Sequence, residues 1–178
     1  MMATVKGGGG GIRSAAGSLG KVVVARLAPG TELLAALEAL IDEHNIRYGL
    51  ILGGAASLRA ATLRNVTAFP PAWPLTDAQR VYLELPGPLE LLSITGNISR
   101  REGDTTHIHA HVVVSTGAGQ AAACYGGHLV EGAIVFSTGE IALAELSGIQ
   151  LARNWDEETK TLELYPTGKR PGQAGLPS

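Results

Sequence analysis

Short apolar segments that end at glycine or proline recur along this sequence and constrain its fold more than any other feature. Segments of this kind, rich in Val, Ile and Leu, predict β-strands separated by tight turns. The predicted strands are residues 21–27, 48–52, 58–66, 80–85, 89–99, 105–115, 121–125, 133–138, 140–146 and 161–165. So many strands with short connections indicate an α+β fold built on a mostly antiparallel sheet.

One long segment has helical periodicity instead. Leu33, Leu37 and Ile41 recur at helical spacing within residues 32–44, and Thr31 is the expected N-cap. We therefore expect one main helix, early in the chain, packed on the sheet.

Glycine accounts for 24 of the 178 residues, which implies many tight turns or close backbone contacts. Gly53 and Gly54 are predicted to form a close-packed turn between two strands. No helix pattern follows them, so they lack the helix N-terminus of a phosphate-binding loop. A Gly53→Val substitution is expected to lower stability.

Further along the chain, residues 153–159 are predicted to form a polar turn before the last strand.

Both ends of the chain are poor in large apolar side chains and rich in glycine or proline. Such segments bury too little apolar surface to offset the entropy of ordering. We expect a flexible glycine-rich N-terminus over residues 1–20, one folded domain over residues 21–166, and a flexible tail over residues 167–178. Within the domain, proline-rich residues 67–77 are predicted to form a loop or arm.

The composition excludes some partners and favours self-association. Lys and Arg number 14 against 16 Asp and Glu, a net charge of −2, which disfavours generic contact with nucleic-acid backbones. Charged residues make up only 17% of the chain and hydrophobic residues 45%, so part of the apolar surface is expected to lie between subunits. Phe69 and Trp73 are the first side chains expected at such an interface.

Cys124 is the only cysteine and cannot form an internal disulfide. No apolar run approaches the ~18 residues of a membrane-spanning helix. The sequence is interpreted as that of a cytoplasmic protein with no membrane contact.

Four of the five histidines lie close together in the sequence, and they are the main functional signal. His107, His109 and His111 alternate along a predicted strand, so they share one face. Neighbouring members of this set are ~7 Å apart and can converge on one ion, whereas all three span ~13 Å. A metal ion is therefore expected to take two of them and a further ligand from elsewhere.

His128 is the expected further ligand. It follows Gly126 and Gly127, whose freedom lets a loop histidine reach back over the neighbouring strand. Three roles remain open for Glu131: a fourth metal ligand, an acceptor of a hydrogen bond from a ligating histidine, or a catalytic base. His44, at the end of the predicted helix, is interpreted as a solvated residue that interacts with the helix dipole.

Four motifs in order resemble the plant and prokaryote conserved (PPC) domain. They are Gly49 to Arg64 (GLILGGAASLRAATLR), His-Ile-His-Ala at 107–110, Gly-Gly-His-Leu-Val-Glu-Gly at 126–132 and Thr-Gly-Glu-Ile at 138–141. The resemblance implies a compact α+β subunit, a homotrimer, and a histidine cluster that binds a metal, commonly zinc. The family motif has two histidines where this chain has three, so His107 with His109 and His109 with His111 remain alternative pairs.

Plant members of this family carry AT-hook motifs that bind DNA. The nearest match here is Gly168-Lys169-Arg170-Pro171, which lies after the domain and lacks the flanking arginine. Direct DNA binding is therefore disfavoured.

Three functions from different classes follow from these features. The first is a metal-binding oligomeric module with a regulatory or small-molecule-binding role. The second is a zinc-dependent enzyme, in which an open metal position activates water and Glu131 or a spare histidine moves the proton. The third is a DNA-associated protein, by analogy with plant relatives alone. A cupin site is disfavoured because no Glu follows the histidine pair at the short cupin spacing.

Overall fold

A computed structural model of the chain describes residues 11–117 and 122–168. The chain forms eight strands and one α-helix, with short 3-10 turns at Asp77–Gln79 and Glu102–Asp104. The elements in order are β1 Ser18–Leu27, α1 Leu33–Glu43, β2 Gly49–Val66, β3 Arg80–Arg100, β4 Thr106–Thr116, β5 Ala123–Leu129, β6 Ile134–Ser147, β7 Ile149–Asp156 and β8 Thr161–Gly168. The predicted α+β class, with a mostly antiparallel sheet and one early helix, is confirmed.

The eight strands form one sheet in the order β1-β6-β2-β5-β4-β3-β7-β8. A further pairing of β2 with β3 closes β2, β5, β4 and β3 into a ring. All ladders are antiparallel except for one parallel bridge between Arg100 of β3 and Ala152 of β7. The ring holds β4 and β5 side by side. His107, His109 and His111 lie on β4, and His128 lies on β5.

Helix α1 covers the core through one face. Leu33, Leu37 and Ile41 are fully buried, at the spacing that predicted the helix. The N-cap prediction is wrong, because the Glu32 carboxylate, and not Thr31, accepts the hydrogen bond from the Ala35 amide at 2.7 Å. The Thr31 carbonyl instead accepts from Val135 of β6 at 2.9 Å.

Three predicted strand breaks are absent. Residues 48–66, 80–100 and 133–147 were each expected to be interrupted, but β2, β3 and β6 run on without a turn. Gly53 and Gly54 therefore lie within β2, next to a register shift between Ile51 and Gly53 in its pairing with β6. A bulge absorbs the irregularity that glycine signals, while the ladder continues.

Two other local predictions are wrong. Gly126, Gly127 and His128 belong to strand β5 and not to a loop. Arg153 lies in strand β7 and not in a polar turn, since the turn begins only after Asp156. Residues 67–76 form a loop, as predicted, and Phe69 on it is 97% exposed.

Candidate metal centre

The ring brings three of the four histidines together on one face. Burial alternates along β4, so that Ala110, Val112 and Val114 are buried while His109 and His111 point to the opposite side. His128 of β5 is the direct cross-strand partner of His111. The site therefore follows from strand alternation together with the β4–β5 register.

The three imidazoles have the spacing of a metal site. Their ring centroids are 5.1 to 5.3 Å apart, and one ligand atom from each lies within 4.8 Å of the others. The Nε2 atoms of His109 and His111 are 3.3 Å apart. Two nitrogens bound to one tetrahedral zinc at about 2.1 Å are about 3.4 Å apart, so the separation of this pair matches that of two zinc ligands.

Of the two alternative histidine pairs, one lies within a group that is close enough to hold a single ion. His109, His111 and His128 form the group that can hold an ion, and His107 is not a member. His107 is the next residue along the same face of β4 and is the cross-strand partner of Ser99 on β3.

Glu131 lies in the wall of a different pocket. This pocket, of about 380 Å³, is bounded by the start of α1 and by β6, and its lining includes Glu32, Glu38, Glu131 and Gly132. Glu131 is not in the group of potential ligands.

The side chain of Arg153 approaches the cluster from β7. It is 7% exposed, and its guanidinium donates to the Ser99 hydroxyl at 3.2 Å and to the Asn97 side-chain oxygen at 3.1 Å. Its Nη2 also lies 3.2 Å from Nδ1 of His109. The sequence analysis assigned this residue to a turn, whereas Leu151 and Arg153 are buried at alternating positions of β7.

The surroundings of the histidines favour the neutral imidazole, which is the form that binds metals. Partial burial, followed by the positive charge of Arg64, lowers the pKa of His128 to about 4. Partial burial, with Arg101 and Arg153 next, lowers the pKa of His107 to about 4. The pKa of His109 is also lowered, by burial first and by Arg153 second.

Fold and site together define a β-rich domain that carries a cluster of three histidines on two adjacent strands. The chain belongs to the Plants and Prokaryotes Conserved (PCC) domain family, whose model matches residues 14–147. This is the family that the four sequence motifs predicted.

Several solved structures are similar to this chain, including one from Archaeoglobus fulgidus and one from Pyrococcus horikoshii. The metal-containing protein from Archaeoglobus fulgidus is 28% identical, with a TM-score of 0.68, over 86% of this chain and 99% of that one. The plant- and prokaryote-conserved protein from Pyrococcus horikoshii is 27% identical, with a TM-score of 0.66, over 85% of this chain and 96% of that one.

A bifunctional protein GlmU from Synechococcus is 33% identical over 149 residues, or 84% of this chain. This chain spans 20% of that relative's length. No helix within residues 11–117 and 122–168 has the length and apolar character needed to cross a membrane.

Proposed function

We propose that this chain is a metal-binding PCC-domain protein in which His109, His111 and His128 hold one zinc ion and present it to a small molecule. The observation that carries the proposal is the convergence of three imidazoles, two of them with ring nitrogens 3.3 Å apart. The description of the Archaeoglobus relative as metal-containing supports it.

The donor set fits zinc. Imidazole nitrogen is a common zinc ligand, and three such ligands leave one coordination position for water or a small molecule. Zinc in such a site acts as a Lewis acid. Copper and nickel bind imidazole at least as tightly by intrinsic order, so zinc is the choice that the family resemblance favours.

A binding or regulatory role is preferred to an enzymatic one. The enzyme hypothesis named Glu131 or a spare histidine as the group that moves the proton, and Glu131 lines the pocket beside α1, apart from the histidine group. The spare histidine, His107, lies next to the cluster, but its low pKa of about 4 makes it a weak general base at pH 7.

We also propose a cytoplasmic homotrimer. Several large apolar side chains are exposed on the chain, among them Val24 at 76% and Phe69 at 97%. Exposed apolar surface of this kind is typical of subunit interfaces. The number three comes from the family resemblance alone.

A DNA-binding role is not favoured. The net charge is −2, and the basic motif at Lys169 and Arg170, which lies outside the described residues, lacks the flanking arginine of an AT-hook. Arg153 is buried against neutral partners and is unavailable to a phosphate backbone at the surface.

Metal analysis tests the main proposal. Protein loaded with zinc and dialysed is expected to retain about one ion per chain. The double variant His109→Ala with His128→Ala should lose nearly all of it. His44→Ala is the matched control, because His44 ends α1 and lies outside the cluster. Equal zinc content in the double variant and the parent would refute the site.

A further inference from the structure

We propose that the ligand of the histidine cluster is a small molecule with an oxyanion group, a carboxylate or a phosphate, and that Arg64 and Arg153 provide the positive charge that binds it. This inference rests on the proposed metal site and names the chemical class of its ligand. It is carried by two arginines that flank the cluster from different strands.

Arg153 is a buried cation that forms no ion pair with the described residues, although the carboxylate of Glu163 lies near enough to raise its pKa against the lowering by burial. Its three side-chain contacts are Ser99, Asn97 and His109, all neutral. In the part of the chain that the structure describes, no carboxylate lies within 4.0 Å of its guanidinium. Burying a charge without an ion pair is costly, so a site that keeps one is suited to an anionic ligand.

Arg64 flanks the cluster on the other side. It is the direct cross-strand partner of His128, which in turn pairs with His111. The order His111, His128, Arg64 therefore runs across three adjacent strands on one face. Arg64 also forms no ion pair in the described residues.

The charge balance of the cluster supports an anion. Two arginines beside three imidazole ligands and a divalent cation give a strongly positive site. Glu163 offsets part of this charge, because its carboxylate raises the pKa of His109 and of Arg153 against the lowering by burial. An oxyanion can bind both to an open metal position and to a guanidinium, which is a strong donor to carboxylate and phosphate oxygens.

The contact between Arg153 and His109 links the anion to the metal. A guanidinium can only donate, so Nδ1 of His109 must accept, and the proton of the neutral ring is then on Nε2. Nε2 is the atom that lies 3.3 Å from His111 and is placed to bind the ion. Metal binding through Nε2 therefore requires this proton to move to Nδ1 and the contact with Arg153 to break, which leaves Nη2 of Arg153 as a donor for an anion.

The test uses the full chain loaded with cobalt, whose visible absorption reports changes in coordination. It is titrated at constant ionic strength with acetate, the carboxylate probe, and separately with sulfate, which has the tetrahedral shape of phosphate. The parent is expected to show a saturable change with at least one of the two. Arg64→Gln should weaken that binding about tenfold or more, the cost of losing a charged hydrogen bond. Arg59→Gln, an exposed arginine on the same strand, should leave it unchanged.

A second readout does not depend on the metal. In the metal-free protein, sulfate or acetate should shift the side-chain Nε–H NMR signals of Arg64 and Arg153 and leave that of Arg59 in place. Cobalt bound at one per chain, with anion affinity equal in the parent and Arg64→Gln, would overturn the anion site and leave the metal site standing. Absence of cobalt binding would refute the proposed function instead, and the NMR titration would then decide the anion site alone.

Discussion

The histidines of this chain differ in their surroundings, and only some of the described ones are close enough together to hold one metal ion. His109, His111 and His128 converge within 4.8 Å, whereas His107 lies beside them on β4 and His44 ends the helix. Partial burial first, and the positive charges of Arg153 and Arg64 after it, lower the pKa of His109 and His128. These two rings are therefore biased toward the neutral form, which is the form that binds a metal.

The pKa values predict how the stability of the metal-free protein depends on pH. His107 and His128 have pKa values of about 4 in the folded chain, against 6.5 as the reference. Between pH 4 and 6.5 the unfolded state binds more protons than the folded state. The free energy of unfolding therefore rises with pH in this range, and it decreases when the pH is lowered from 6.5 to 4. Urea unfolding of the parent at several pH values measures this slope.

The matched variant His128→Gln should have a shallower slope in the same window, because one of the two groups is gone. Parallel curves for the parent and the variant would show that the pKa of His128 is not lowered by folding. Because the pKa of His128 is about 4, protons are expected to compete with a metal for this ring near pH 4, and not near the ordinary histidine value of ~6.5.

Among the elements, the long strands are what place the site, and they run through residues that commonly end strands. Strand β2 passes through Gly53 and Gly54, and β3 passes through the cis peptide bond between Gly87 and Pro88. Ladder pairing to the neighbouring strands continues on both sides of these positions.

The two adjacent glycines of β2 are predicted to respond oppositely to the same substitution. A Cβ at Gly54 would lie 2.7 Å from the Glu140 carbonyl oxygen and 2.5 Å from Cδ1 of Ile141. Gly54→Ala should therefore lower the free energy of unfolding by about 1–3 kcal/mol, the usual cost of overpacking. A Cβ at Gly53 meets nothing within 4 Å.

Gly53→Ala is the control, and it should be neutral or stabilise by about 0.4–1 kcal/mol, since it restricts the unfolded chain. The same open space argues against the expectation that Gly53→Val lowers stability. Urea unfolding of both variants gives the two values, and a larger loss at Gly53 than at Gly54 would contradict the packing described.

The helix and most of the strands were predictable because their signals are local. Leu33, Leu37 and Ile41 mark α1, and its observed ends lie one residue inside the predicted ones. Strand continuity was not predictable from the sequence. Glycine and proline indicate only local backbone preferences, whereas pairing with the partner strands decides whether a ladder continues.

The candidate site was predictable in its residue type and in part of its membership. Alternation placed His109 and His111 on one face, but the choice between His107 and His111 depends on the β4–β5 register, which pairs His111 with His128. Arg153 was missed because its role depends on β7, whose polar residues resemble a turn.

For the whole molecule, the exposed apolar side chains predict assembly. Static light scattering is expected to give a mass near three times the 18.4 kDa of one chain. Phe69→Glu should lower this mass, because a charge would replace the most exposed of the large apolar side chains of the described residues.

Glu38→Lys, an equally drastic change at an exposed position of α1, serves as its control and should leave the mass unchanged. A parent that scatters as a monomer would contradict the assembly. A parent trimer that Phe69→Glu does not weaken would place the interface on another surface.

The most direct test of the metal site is a crystal structure of the zinc-loaded protein with data collected at the zinc absorption edge. We expect one anomalous peak at about 2.1 Å from a ring nitrogen of each of His109, His111 and His128. A peak on His107, a peak in the pocket lined by Glu32 and Glu131, or no peak at equimolar zinc would contradict the assignment of these three histidines as the metal ligands.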